Sequence, residues 1–168
     1  MNIRNFAWMG FALLNGTFLA ACSIGHACTE MGCAYPARAT VKADVPASLE
    51  TMRASTLTAC WNDDCRSLSL ATLSIVREPG QFPPGDNQPA SVVLVSVDGK
   101  EYLNVQFVVG SQGAAHDGDR FRVVMKDASG AELLSIDDKL THYSASTPNG
   151  PDCEPVCYDG TIDKRSNP

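Results

Sequence analysis

From Tyr35 onward apolar and polar residues alternate with a period of two, which puts successive side chains on opposite faces of an extended strand. Ala39, Val41, Ala43 and Val45 share one face, against Thr40, Lys42 and Asp44 on the other. Leu57, Ala59 and Trp61 repeat the pattern against Thr56, Thr58 and Cys60. Ser67 to Val76 alternates too, but changes phase between Leu70 and Leu73, which predicts a bulge or bend. Phe82 to Pro89 is a Pro/Gly/Asn loop. Two apolar runs, Ser91 to Val97 and Lys100 to Val109, flank Asp98-Gly99, a pair that accepts the positive φ of a tight hairpin. In the second run Leu103, Val105, Phe107 and Val109 share a face. After a glycine-rich loop from Gly110 to Asp119, Phe121, Val123 and Met125 mark another strand. Asp127 to Gly130 turns it into Ala131 to Ile136, with Leu140 to Ser144 extending that edge. Val156 to Ile162 is the last strand.

No long stretch keeps a 3.6-residue spacing. Seven to nine short strands separated by turns predict an all-β chain, folded as an immunoglobulin-like two-sheet sandwich. The first and last strands of such a sandwich often run side by side and parallel.

The N-terminus obeys a different pattern. Arg4 precedes an apolar run from Phe6 to Leu14, which resumes after Asn15, Gly16 and Thr17 and ends on Leu19-Ala20-Ala21-Cys22. Charge, apolar run and small-residue cleavage site are the parts of a secretory signal. The polar interruption argues against a spanning helix, which needs about 20 apolar residues in succession. Leu-Ala-Ala-Cys resembles the lipobox of bacterial lipoproteins. The resemblance implies cleavage before Cys22, acylation of its thiol, and a membrane anchor of two or three chains. Ser23 after the cysteine implies sorting to the outer membrane. The expected division is a signal peptide at 1–21, a tether at 22–33 and a β-sandwich domain at 34–168. An ordinary secreted protein is the alternative, because Gly25-His26-Ala27 also permits cleavage, before Cys28.

The formal net charge is −6, and becomes one unit more negative once Arg4 is removed. An acidic domain without a basic patch repels nucleic acid and anionic headgroups. The lipid, not charge, would then hold it at the membrane.

Seven cysteines leave six for bridges if Cys22 carries lipid, and an even set in an exported chain reads as disulfides. Cys60 and Cys65 flank a four-residue turn and are expected to pair. Cys28, Cys33, Cys153 and Cys157 can close locally, as Cys28–Cys33 and Cys153–Cys157. They can instead form a clasp, Cys33–Cys157 with Cys28–Cys153 beside it. Parallel first and last strands favour the clasp. The layout also resembles small bacterial surface lipoproteins with an immunoglobulin-like or transthyretin-like domain of unassigned function. The matching segments are Cys28 to Cys33 before the first strand and Pro148 to Cys157 before the last. The chain departs from antibody domains, because Trp61 directly follows Cys60.

Candidate chemistries are few. His26, Cys28 and Cys33 could ligate zinc, but an oxidising compartment favours bridges. Cys153 and Cys157 are separated by three residues rather than the two of exchange enzymes, which suggests a structural bridge. Asp63-Asp64, Asp117 with Asp119, and Asp137-Asp138 are acidic pairs without the spacing of a calcium loop. His116 and His142 lack any flanking nucleophile signature. The expectation is a monomeric binding or structural module without catalysis, cofactor or metal. It would present Phe82–Pro89 and Gly110–Asp119 to an envelope protein or glycan. An envelope hydrolase, revealed by a cleft joining His116 or His142 to a carboxylate, is the alternative, as is an accessory lipoprotein of a membrane complex.

Overall fold

The computed structural model describes residues 32–33, 35–73, 75–76, 90–109 and 114–166. Ten strands and one short helix follow each other in the order β1 (Ala37–Asp44), α1 (Leu49–Arg53), β2 (Thr56–Trp61), β3 (Asp64–Ser69), β4 (Ile75–Val76), β5 (Ala90–Val97), β6 (Lys100–Val108), β7 (Arg120–Lys126), β8 (Glu132–Lys139), β9 (Ser144–Ser146) and β10 (Cys157–Lys164). They form a six-stranded sheet, β4-β5-β6-β1-β10-β9, and a four-stranded sheet, β3-β2-β7-β8.

The alternation read from the sequence decides what is buried. Ala37, Ala39, Val41 and Ala43 of β1 join Leu103, Val105 and Phe107 of β6 and Ile162 of β10 on the inner face of the larger sheet. Leu57, Ala59, Phe121, Val123, Met125 and Ile136 face them from the smaller one, all in one apolar cluster. The Phe107 and Phe121 rings meet edge to face across the sheets, with centroids 5.0 Å apart.

β1 pairs with β10 in parallel, from Ala37 opposite Tyr158 to Ala43 opposite Lys164, and antiparallel with β6 on its other side. The Asp98-Gly99 hairpin forms with φ of 51° and 75°, the left-handed values its residue types permit.

The structure departs from the pattern in three places. The phase change near Leu70 is not a bulge within one strand. β3 ends at Ser69, a turn brings the Leu73 amide onto the Leu70 carbonyl at 2.9 Å, and β4 then joins the other sheet. Leu70 and Leu73 are apolar because the crossing passes through the core. Leu140 to Ser144 does not extend β8. The chain leaves the smaller sheet after Lys139 and reaches the larger one at β9, burying Leu140 and Tyr143 on the way. Finally, α1 is helical although too short to show a period. Ser48 caps it by accepting from the Thr51 amide at 3.2 Å, and Met52 fills the core beneath.

Candidate functional site

Three features stand out from this scaffold: a carboxylate network at the β2–β3 hairpin, the disulfides, and a pair of depressions at the opposite end of the larger sheet.

The network is centred on Asp119, which is 7% exposed. Asn62, at the tip of the β2–β3 hairpin with φ of 50°, donates its amide to Asp119 Oδ1 at 3.1 Å. The His116 backbone N–H and the Tyr143 hydroxyl each donate to Oδ2 at 3.1 Å. The Asn62 side chain also accepts from the Arg120 amide at 2.9 Å, and the Asn62 amide donates to the Arg120 carbonyl at 2.7 Å. Burial alone would raise the Asp119 carboxyl. The donors from Asn62, His116 and Tyr143 outweigh it and hold the group below its ordinary value. The Trp61 indole N–H adds to this by facing the carboxylate, without reaching hydrogen-bond geometry. Tyr143 moves the other way. Burial, and then the Asp119 charge, push its hydroxyl above the usual phenol range.

Beside it, Asp117 Oδ2 lies 3.0 Å from His142 Nδ1, and Asp117 Oδ1 accepts from the Tyr143 amide at 2.9 Å. These two contacts, the histidine first, hold Asp117 below its ordinary value. The structure therefore does bring a histidine to a carboxylate. The pair is turned outward, with the His142 side chain 73% exposed, and among the described residues nothing hydrogen-bonds the second ring nitrogen. His116 is occupied differently, its Nδ1 lying 3.0 Å from the Ala114 carbonyl oxygen.

Of the acidic pairs singled out in the sequence, Asp64, Asp137 and Asp138 each meet a cation, whereas Asp119 is held by neutral donors. Asp64 meets Arg66 at 3.1 Å, Arg120 donates twice to Asp137 from 2.5 and 2.6 Å, and Lys164 reaches Asp138 at 2.5 Å. Among the described residues, no three His, Cys, Asp or Glu side chains converge as a metal site requires.

Cys33 is bonded to Cys157, 124 residues away, and Cys60 to Cys65. Cys153 is also disulfide-bonded. Cys28, its expected partner, lies outside the described residues, as do Cys22, His26 and the loop Phe82–Pro89. The Cys33–Cys157 bridge closes the end of the larger sheet where β1 and β10 begin. The hairpin tip is near the same end, since Trp61 and Asp64 share a small cavity with Ala90, Phe107 and Val108, and Val108 stands opposite Arg38 at the start of β1.

The depressions lie where β1 and β10 finish, about 23 Å along the strands from Ala37 at 3.3 Å per residue. One, of about 500 Å³, is lined by Asp44, Lys100, Glu101, Tyr102, Arg165 and Ser166, together with the Val97-Asp98 end of β5. Asp44 divides it from a second, of about 480 Å³, which runs along Leu134 to Asp137 of β8. The Ser166 amide and side chain hold Asp44 ionised by lowering its carboxyl. The Arg165 guanidinium sits 4.7 Å above the Tyr102 ring and is fixed there by Asp163, whose Oδ1 accepts from Nε at 2.9 Å. Both volumes fall in the range of small-ligand sites. The surface so made is of mixed charge and includes a covered aromatic ring.

Sequence reasoning did not single out Asn62, Tyr102, Arg122 or Arg165. Only Asn62 carried a local signal, an Asn-Asp dipeptide between two alternating runs. Comparisons with protein-family models, with curated proteins and with solved structures return no match.

Proposed function

We propose that this chain is an exported bacterial lipoprotein, acylated at Cys22, whose immunoglobulin-like sandwich is a non-catalytic binding module. The observation that carries the reading is the Cys33–Cys157 bridge. A bond between residues so distant in sequence belongs to an oxidising compartment, and all five described cysteines are disulfide-bonded. The parallel pairing of β1 with β10 supports the immunoglobulin-like class.

The bridge also supports an orientation for the domain. Ten residues lie between Cys22 and Cys33, a reach of at most about 40 Å. The tether enters at the clasped end, so the Asp44–Lys100–Arg165 end points away from the outer membrane. A protein or glycan partner would meet that end, whereas Phe82–Pro89 and Gly110–Asp119 adjoin Ala90 and Val109 at the clasped end. Among the described residues the Asp117–His142 pair is turned outward and exposed, which favours binding over an envelope hydrolase.

Photo-crosslinking side chains placed at Lys100 or Glu101 of the tethered protein should capture one partner, identified by mass spectrometry as protein or by glycan release. The same probe at Ser146, on the clasped end, should not. Equal capture from both ends would overturn the oriented-module reading. Persistence of lipid labelling in Cys22→Ser would overturn the anchor.

A further inference from the structure

We propose that the Cys60–Cys65 disulfide is a thiol-exchange site for a small or protein-borne thiol, with Arg122 holding the departing Cys60 thiolate. The sequence suggests only a structural staple here. The register suggests more. Cys65 stands opposite Cys60, Cys60 opposite Arg122, and Arg122 opposite Asp137, so one row crosses β3, β2, β7 and β8 on the outer face of the smaller sheet. Cys60 is fully buried yet lies outside the apolar core cluster, as expected for a side chain sunk between its neighbours on that outer face. Cys65 is exposed, on the edge strand β3.

Arg122 is the informative member. Its row neighbour Asp137 is taken by Arg120 through two hydrogen bonds. Arg122 retains only a longer-range attraction to Asp137. Among the described residues no carboxylate hydrogen-bonds Arg122. Its Nη2 instead lies 3.4 Å from Cys60 Sγ and 3.6 Å from Cys65 Sγ. A guanidinium beside sulfur lowers the thiol pKa, and a lower leaving-group pKa speeds exchange. The remaining charges near the bridge are Asp63, Asp64 and Arg66; Arg66 is paired with Asp64.

An incoming thiolate attacks the accessible Cys65 Sγ. A mixed disulfide forms there, the Cys60–Cys65 bond breaks, and its electron pair departs on Cys60 Sγ toward Arg122. A second thiolate attacks the incoming sulfur of that mixed disulfide and releases Cys65 as thiolate. The two protein thiolates take up the two protons lost by the thiols. Two external thiols become one disulfide, and the bridge is reduced by two electrons.

The oxidised full chain would be treated with reduced glutathione, quenched with acid, alkylated and mapped by peptide mass spectrometry. Cys60 and Cys65 should be labelled at least about tenfold faster than Cys33 and Cys157, with trapped glutathione on Cys65. Arg122→Ala should slow labelling of Cys60 and Cys65 about tenfold while leaving Cys33 and Cys157 unchanged, and Arg122→Lys should recover much of the rate. Thermal unfolding of both variants checks that the fold is kept. Equal rates at the two bridges, glutathione on Cys60, or a rate indifferent to Arg122→Ala would each overturn the proposal.

Discussion

The two described bridges of known partner use the same covalent bond in opposite settings. Cys33–Cys157 closes 124 residues and joins strands that meet only because the whole sandwich has formed. Cys60–Cys65 closes five residues within a hairpin that six register pairs already define. The first removes a large share of the unfolded chain's freedom, the second very little. The hairpin is held to its surroundings by other means, chiefly Asn62 on Asp119 and the pairing of β2 with β7. A cross-link thus reports on folding where its loop is long. Where the loop is short, its chemical surroundings decide what it can do.

The largest effect should come from removing the long bridge. Cys33→Ala with Cys157→Ala should lower unfolding free energy by about 2–5 kcal/mol in denaturant titration, whereas Cys60→Ala with Cys65→Ala should cost about 2 kcal/mol or less. Equal losses would break the comparison.

Next comes the carboxylate that secures the hairpin region. Asp119→Ala removes the acceptor for Asn62, the His116 amide and Tyr143, and leaves a buried hydroxyl unpaired. A loss of about 2–4 kcal/mol is expected. Amide exchange should quicken in β2 and β3 before it does in β1 and β10.

The same contrast can be sharpened with acid. Asp119 titrates below its ordinary value in the folded state, so the unfolded chain binds its proton more readily. Its stabilisation is complete above the unfolded carboxyl pKa of about 4 and disappears as pH falls through the lower folded value. Hydrogen exchange between pH 5 and pH 2 should show the hairpin loosening first, while the bridged pair β1–β10 stays protected. Simultaneous loosening would mean that Asp119 acts on the whole sandwich.

A smaller effect tests packing on the bridged side. A Cβ on Gly160 of β10 would lie 2.2 Å from Cδ2 and 3.2 Å from Cγ of Leu140, a buried side chain that would have to shift. Gly160→Ala should cost about 1–3 kcal/mol by thermal unfolding. Smallest, Tyr143→Phe gives up one hydrogen bond to a carboxylate and should cost about 1–2 kcal/mol.

What the sequence made legible follows from how local its causes are. β1, the Asp98-Gly99 hairpin and β7 are readable because alternation and turn chemistry act within a few residues. The crossings at Leu70–Leu73 and Leu140–Tyr143 are not, because an apolar residue that fills the core from a connecting segment looks like one in a strand. The parallel placing of β1 and β10 was anticipated from fold class alone. The partners of the acidic residues are not encoded by their spacing, since Asp137 meets Arg120 and Asp138 meets Lys164 from other strands. Asp119 is the clearest case, because its donors come from Asn62, His116 and Tyr143, on three separate connections. The transverse row from Cys65 to Asp137 depends on register across four strands, which no linear spacing encodes.

The bond between Cys33 and Cys157 also has a mechanical meaning. A pull on the chain at Cys33 does not arrive at β1 alone. It divides at once between β1 and β10, which run in the same direction from that point. Neither strand can then be peeled from the other by the load. Tension is passed into the sheet as shear, across the seven register pairs between them and those between β1 and β6. A domain hung from this end would resist extension with two strands at once.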